Sequence, residues 1–198
     1  MADVNGEPVR ADAAARDREL VARAQAGELG AFEELVRTHQ PRLFGYLYQL
    51  CWRDRDAAAE LAEEALVRAW QGLARFRGEA GFRTWLYRIA TNLAINRRTR
   101  ARRHEPLTES LAARRQEEPD AVWERRRAVE RALAALAALP DEQRAALSLY
   151  VYEEMSYEDI GATLGRSPAA VNMLIYRARI GLRRLLARGE SGEGEAGQ

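Results

Sequence analysis

Residues 156–186 read SYEDIGATLGRSPAAVNMLIYRARIGLRRLL, and this stretch decides the fold. Ser156, three residues ahead of Asp159, makes a capping-box-like start, with Asp where Glu or Gln is usual. Ile160 and Leu164 give the short helix that follows an inward stripe. Gly165 supplies a turn suited to positive φ. Ser167-Pro168 restarts a helix, with Ser as N-cap and Pro at the first helical position. Val171, Leu174, Ile175, Ala178, Leu182 and Leu185 form its core stripe. At ~100° per residue, the opposite face carries Ala169, Asn172, Met173, Tyr176 and Arg177. Two helices, a tight turn and a polar outer face on the second helix describe a helix-turn-helix, the shape that lays its second helix in a major groove. Small Ala169 permits close approach. Asn172 and Arg177 can bond base edges or phosphate, and Tyr176 can pack on a sugar or a thymine methyl.

Charge supports this reading. Residues 160–189 hold Arg166, Arg177, Arg179, Arg183, Arg184 and Arg188 and no acid. A second acid-free window, 82–104, holds Arg83, Arg88, Arg97, Arg98, Arg100, Arg102 and Arg103. The net charge of +1 over 198 residues conceals both. Positive charge gathered on helices is the footprint of a chain that lies on phosphate backbone, and two separated windows imply two contacts. There is no lysine, so every such contact falls to the planar guanidinium fork.

The remainder is helical in pattern. Leu20, Val21 and Ala24 begin a stripe near Asp17, Gly27 and Gly30 interrupt it, and Phe32, Leu35 and Val36 resume it. Leu43, Tyr46, Leu47 and Leu50 continue it, with Pro41 expected to kink the helix or to start a new one. Asp54 or Asp56 can cap a further helix whose apolar side is Ala58, Leu61, Ala62, Ala65, Leu66, Ala69, Trp70 and Leu73. After a break at 76–81, Trp85, Leu86, Ile89 and Leu93 lead into the first arginine window. Pro140 ends a helix carrying Leu133 and Leu136, and Asp141 is expected to cap the next. No strand pattern competes. The expected class is all-α, two small helical domains joined by a flexible linker. A mobile leader at 1–15 precedes a first domain at 16–103. An acidic linker at 104–120 leads to a second domain at 121–188, and a disordered tail fills 189–198.

Several functions are excluded. One cysteine, Cys51, allows no intrachain disulfide, and no Cys/His cluster has metal-ligand spacing, so no metal or other cofactor is expected. Cys51 and His39 read as structural residues. No apolar run of about 18 residues exists, so no membrane insertion is expected, and the expected compartment is the cytoplasm. A stand-alone repressor would need a dimer heptad or a sensory domain. A recombinase would need a nucleophile among clustered arginines, and Tyr87 beside Arg88 is too isolated. No enzyme is expected.

The first half carries a resemblance. ELAEEALVRAW at 60–70 and FRGEAGFRTWLYRIATNLAINRR at 76–98 resemble bacterial RNA polymerase sigma factors of the sigma-70 family, extracytoplasmic-function class. Residues 156–186 look like domain four of the same family, and 16–103 like domain two. The resemblance implies a transcription initiation factor that binds core RNA polymerase and directs it to promoters by reading −10 and −35 elements.

It also implies site residues. The 60–70 helix docks on the beta-prime clamp, with Leu61, Glu64, Arg68 and Trp70 as contacts. The loop Phe76, Arg77, Gly78, Glu79, Ala80 and Gly81 takes a flipped base of single-stranded −10 DNA, with Asn92 near that pocket, Asn96, Arg97 and Arg98 holding the backbone, and Arg88 a further −10 contact. Ser167, Ala169, Asn172, Met173, Tyr176, Arg177 and Arg179 meet duplex −35 DNA. Further implied partners are the beta flap and, commonly in this family, an anti-sigma factor able to cover either domain. Relatives often carry two basic residues where this chain has Asn172 and Leu174, so weaker or altered −35 binding is expected.

Overall fold

A computed structural model describes residues 7–104 and 120–191, with side chains placed over 11–100 and 128–187. All regular structure among them is helical: α1 (Glu7–Gln25), α2 (Leu29–Leu50), α3 (Arg55–Gly72), α4 (Phe82–His104), α5 (Asp120–Ala137), α6 (Asp141–Val151), α7 (Tyr157–Leu164) and α8 (Pro168–Ser191), with a 3-10 turn at Leu73–Arg75. The leader expected at 1–15 is therefore helical from Glu7 onward. Residues 1–6, most of the linker (105–119) and the tail from 192 lie outside the described residues. Among the described residues no helix is long and apolar enough to cross a membrane.

α2 forms because Ala31, Phe32, Leu35, His39, Leu43, Tyr46, Leu47 and Leu50 fall on one buried stripe. It packs on the alanine-rich stripe of α3, where Ala58, Ala62, Ala65 and Ala69 let the two backbones come close. Of the two expectations for Pro41, a new helix start is not met, since α2 runs unbroken from Leu29 to Leu50 with Pro41 inside it. Pro41 and Arg37, whose carbonyl loses its usual donor, are both exposed, so water can replace the missing bond. Asp54 caps α3 by accepting the Ala57 N–H at 3.0 Å. In the core, the Thr91 hydroxyl donates to the Tyr87 carbonyl at 2.7 Å, which leaves its oxygen to accept the Tyr46 hydroxyl at 2.8 Å. His39 lies in the core, its Nε2 3.0 Å from the Asp17 carboxylate.

In the second half, Pro140 occupies the N-cap position of α6 and Asp141 its first turn. The cap expected of Asp141 does not form; its carboxylate accepts from Arg98 and, at 2.8 Å, from Arg144. The turn chemistry of 156–168 is as the sequence implies. Ser156 Oγ accepts the Asp159 N–H at 3.0 Å and donates to Asp159 Oδ2 at 3.0 Å. Gly165 stands at φ +66°. Ser167 Oγ accepts the Ala170 N–H at 3.3 Å. Gly161 serves a purpose that the sequence reading missed. A Cβ there would lie 2.6 Å from the Arg166 carbonyl oxygen, so the turn closes only over a bare backbone.

The two halves pack together, α4 on α7 and α2 on α6. Arg83 and Tyr87 of α4 both donate to the buried Glu153 carboxylate, and Thr84 donates to Asp159 at 3.1 Å. Arg98 meets Asp141 and lies over the Trp52 ring, 4.6 Å from its centroid, while Arg144 lies over the same ring at 5.5 Å. Trp52 (φ +53°) and Glu154 (φ +50°) hold left-handed backbone without being glycine, at roughly 1–3 kcal/mol each. Trp52 stands at these contacts, and Glu154 directly follows Glu153 in the chain.

Candidate nucleic-acid interface

The loop after α3 begins with the Leu73–Arg75 turn, which closes when the Phe76 N–H reaches the Leu73 carbonyl at 3.0 Å. Phe76 then packs its ring against Trp85 (centroids 4.7 Å apart) and edge-on against Phe82. Phe76 is thus a partly buried anchor of the loop and not a free stacking platform. Gly78 takes φ +73°, a conformation that a side chain would strain. The Gly81 carbonyl accepts the Trp85 N–H at 3.0 Å and so launches α4.

These features border an open cavity of about 440 Å³, lined by the loop from Arg75 to Ala80 and by Thr84, Trp85 and Arg88 of α4, with Ala162 of α7 also in its lining. Arg77, Gly78, Glu79 and Gly81 are exposed there. Thr84, Trp85 and Arg88 share one face of α4 by their spacing of three and four residues. The sequence reading placed Arg88 at the site but not Thr84, although helical periodicity alone would have found it.

Arg88, Asn92 and Asn96 repeat at four-residue intervals and are all exposed, so they form a polar ladder that leads away from the cavity along α4. Asn92 stands one turn beyond the cavity wall and does not line it. Arg97 and Arg98 leave this ladder. Arg97 donates to Glu60 of α3 at 2.6 Å, and Arg98 is drawn into the contact with Asp141 and Trp52. Two guanidiniums of the same helix, Arg83 and Arg98, meet carboxylates of the second half, Glu153 and Asp141. The Tyr87 phenol is pushed well above its ordinary range, first by burial and then by the Glu153 charge.

On α8, Ala169, Asn172, Met173, Tyr176 and Arg177 are exposed as the wheel requires, and Leu174 is half-buried. Met173 and Tyr176 remain 46% and 58% exposed, apolar surface that the fold itself does not use. Arg179, two turns on from Asn172, is exposed as well and lies over the Tyr150 ring, 5.4 Å from its centroid. Arg166 pairs with Glu142 at 2.8 Å. On α3, Leu61 is buried in the core, which removes it from the surface on which the sequence reading put it. Glu64 and Arg68 are exposed and pair at 2.6 Å. Trp70 is exposed at its edge while its ring meets Phe32 at 4.8 Å. Val67, overlooked in the sequence, is exposed on the same surface. Among the described residues no group of His, Cys, Asp and Glu side chains could hold a metal ion.

Comparison with known proteins agrees with this layout. The family model for Sigma-70 region 2 matches residues 35–104, and that for Sigma-70, region 4 matches residues 129–180. The RNA polymerase sigma-H factor of Pseudomonas aeruginosa is 34% identical over 176 residues, covering 83% of this chain and 90% of that protein. The ECF RNA polymerase sigma factor SigM of Mycobacterium tuberculosis is 35% identical over 175 residues, covering 86% and 84%. Among solved structures, CnrH in complex with the cytosolic domain of CnrY superposes with a TM-score of 0.66 at 28% identity, covering 87% of this chain and 98% of that one. The sigma factor RpoE in complex with the anti-sigma factor NepR, from Bartonella quintana, gives 0.61 at 25% identity, covering 79% and 96%. Both halves match in the same order, and the chain belongs to the sigma-70 family in its extracytoplasmic-function (ECF) class: it is a transcription initiation sigma factor, not an enzyme, that directs RNA polymerase to promoters.

Proposed function

We propose that this sigma factor reads the −10 element as single-stranded DNA through the 76–81 loop and the Arg88–Asn92–Asn96 ladder, and the −35 element as duplex through α8. The observation that carries the reading is the continuity between the loop cavity and the exposed polar ladder of α4. A base turned out of the stack would enter the cavity, where an apolar ring wall and a nearby guanidinium suit a flat polar heterocycle. The strand that follows would run along the ladder. Arg88 supplies charge, and the two amides supply donors and acceptors for unpaired Watson–Crick edges.

The exposed side of α3, with Glu64, Val67, Arg68 and Trp70, supplies the dock on the polymerase beta-prime clamp. Mixed charge around an exposed aromatic suits an interface centre. The second half meets the beta flap. Each DNA contact is weak alone and gains from high effective concentration once both ride on core enzyme. Melting costs on the order of 1–2 kcal/mol per base step, and capture of unpaired bases offsets part of it. Engagement of both elements requires α7 to leave α4, because Ala162 lines the cavity and Glu153 and Asp159 occupy Arg83, Tyr87 and Thr84. The protein acts in the cytoplasm, where the polymerase works. An anti-sigma factor is a fitting partner, since the similar sigma factor RpoE has been solved in complex with the anti-sigma factor NepR.

The test is run-off transcription with core enzyme over a library of promoter templates. Start-site choice conferred by this chain, and lost when Asn92 or Tyr176 is replaced by alanine, supports the reading. Transcription indifferent to the added chain overturns it.

A further inference from the structure

Gln25 is the last residue of α1, outside the segment matched to Sigma-70 region 2. Its side-chain amide nitrogen donates twice, to the Leu73 carbonyl at 2.8 Å and to the Phe76 carbonyl at 2.9 Å. These carbonyls flank the 3-10 turn that launches the 76–81 loop. One amide group therefore spans the turn from its first residue to the residue just after it. Leu73 is buried at 2% exposure, and its carbonyl also accepts the Phe76 N–H, so the base of the loop is fixed to the core. Phe76 is held at both ends, its ring by Trp85 and its carbonyl by Gln25. Beyond this point the backbone passes through Arg77 to Gly78, where φ turns positive, and the whole stretch from Arg75 to Ala80 lines the cavity.

A site that must accept a base in one orientation gains from a wall that is already in place. We infer that Gln25 is a positioning residue for −10 recognition: through it α1 braces the loop, and the brace sets the cavity wall before DNA arrives. The inference rests on the assignment of the 76–81 loop to −10 DNA. A primary amide has the chemistry required, with two N–H donors on one nitrogen to serve two carbonyls. A carboxylate of the same shape would present only acceptors to those carbonyls and would push the loop away.

The experiment uses holoenzyme reconstituted from core polymerase and the full chain, with Gln25→Glu, Gln25→Arg and Asn92→Ala compared against the unaltered protein. Gln25→Glu conserves shape and removes the donors, whereas Gln25→Arg keeps N–H donors of similar reach. Three quantities are read: core binding, affinity for duplex −35 DNA, and permanganate reactivity of −10 thymines. Gln25→Glu is expected to slow opening on the order of tenfold, the scale of one or two lost hydrogen bonds, with core binding and −35 affinity unchanged and with opening largely restored in Gln25→Arg. A merely structural role would lower all three quantities together, and that result overturns the proposal. Loss of opening in Asn92→Ala with none in Gln25→Glu overturns the brace alone. Normal opening in both variants overturns the assignment of the loop as well.

Discussion

The Arg83 guanidinium donates to the Glu153 carboxylate at 2.6 Å and to the Glu153 backbone carbonyl at 2.8 Å. The pair ties α4 to the connection between α6 and α7, across 70 residues of chain. Its carboxylate is almost wholly buried and is completed by the Tyr87 hydroxyl at 2.7 Å. A buried carboxylate that keeps only part of its donor set is costly. Arg83→Met is expected to lower unfolding free energy by roughly 2–3 kcal/mol in urea titration and to enlarge the radius of gyration in small-angle scattering. A variant as compact and as stable as the parent would show that the pair does not hold the halves together.

The position of Asn92 on the ladder, one turn outside the cavity, separates two steps of initiation. Asn92→Ala is expected to impair promoter opening, read by permanganate footprinting, more than closed-complex binding, read by filter retention. The loss should be about 1–3 kcal/mol, the scale of one base-edge contact. Equal losses in both assays would move base reading elsewhere on α4.

Gly161 gives a prediction local to the helix-turn-helix. With the Arg166 carbonyl oxygen 2.6 Å from any Cβ, Gly161→Ala must push α7 and α8 apart. A cost of roughly 1–3 kcal/mol is expected in thermal unfolding, with reduced affinity for duplex −35 DNA. Clamp binding through α3 should survive, and a pull-down with core polymerase checks it.

Cys51 gives a pH dependence. Burial pushes its thiol up to about 11, so the native chain keeps it protonated where an unfolded chain has begun to ionise it. A raised acid pKa stabilises the fold below the unfolded value and loses that contribution as pH climbs to the folded value. Stability should therefore fall between about pH 9 and 11, and Cys51→Ser should flatten that slope in denaturant titrations. Iodoacetamide should label Cys51 slowly at pH 8 in the native protein and quickly in urea, and equal rates would sink the account.

The sequence carried the local structure well, because local structure depends on residues close in the chain. Ser156, Gly165 and Ser167 mark the helix-turn-helix through their own hydrogen bonds and φ, and the outer face of α8 follows from periodicity. Pro41 left two outcomes open because the choice depends on solvent around Arg37, which no local pattern reveals. Leu61 misled for a similar reason: an apolar residue on an amphipathic helix can serve a core or a partner, and only packing decides. Glu153 had no signal at all. Its neighbours in sequence are ordinary loop residues, and its partners come from a helix on the other side of the linker. The same distance in sequence hid Gln25, whose bonds reach residues 73 and 76.

Trp52 lies at the joint between the two halves. Its ring sits beneath a guanidinium from each half of the protein, Arg98 from α4 and Arg144 from α6. Indole emission responds to nearby charge and to hydration, so separation of the halves should alter the fluorescence of this residue. Nature has thereby placed an intrinsic optical probe at the joint, and with Trp70, Trp85 and Trp123 replaced by phenylalanine its signal would follow opening in real time, without any attached dye.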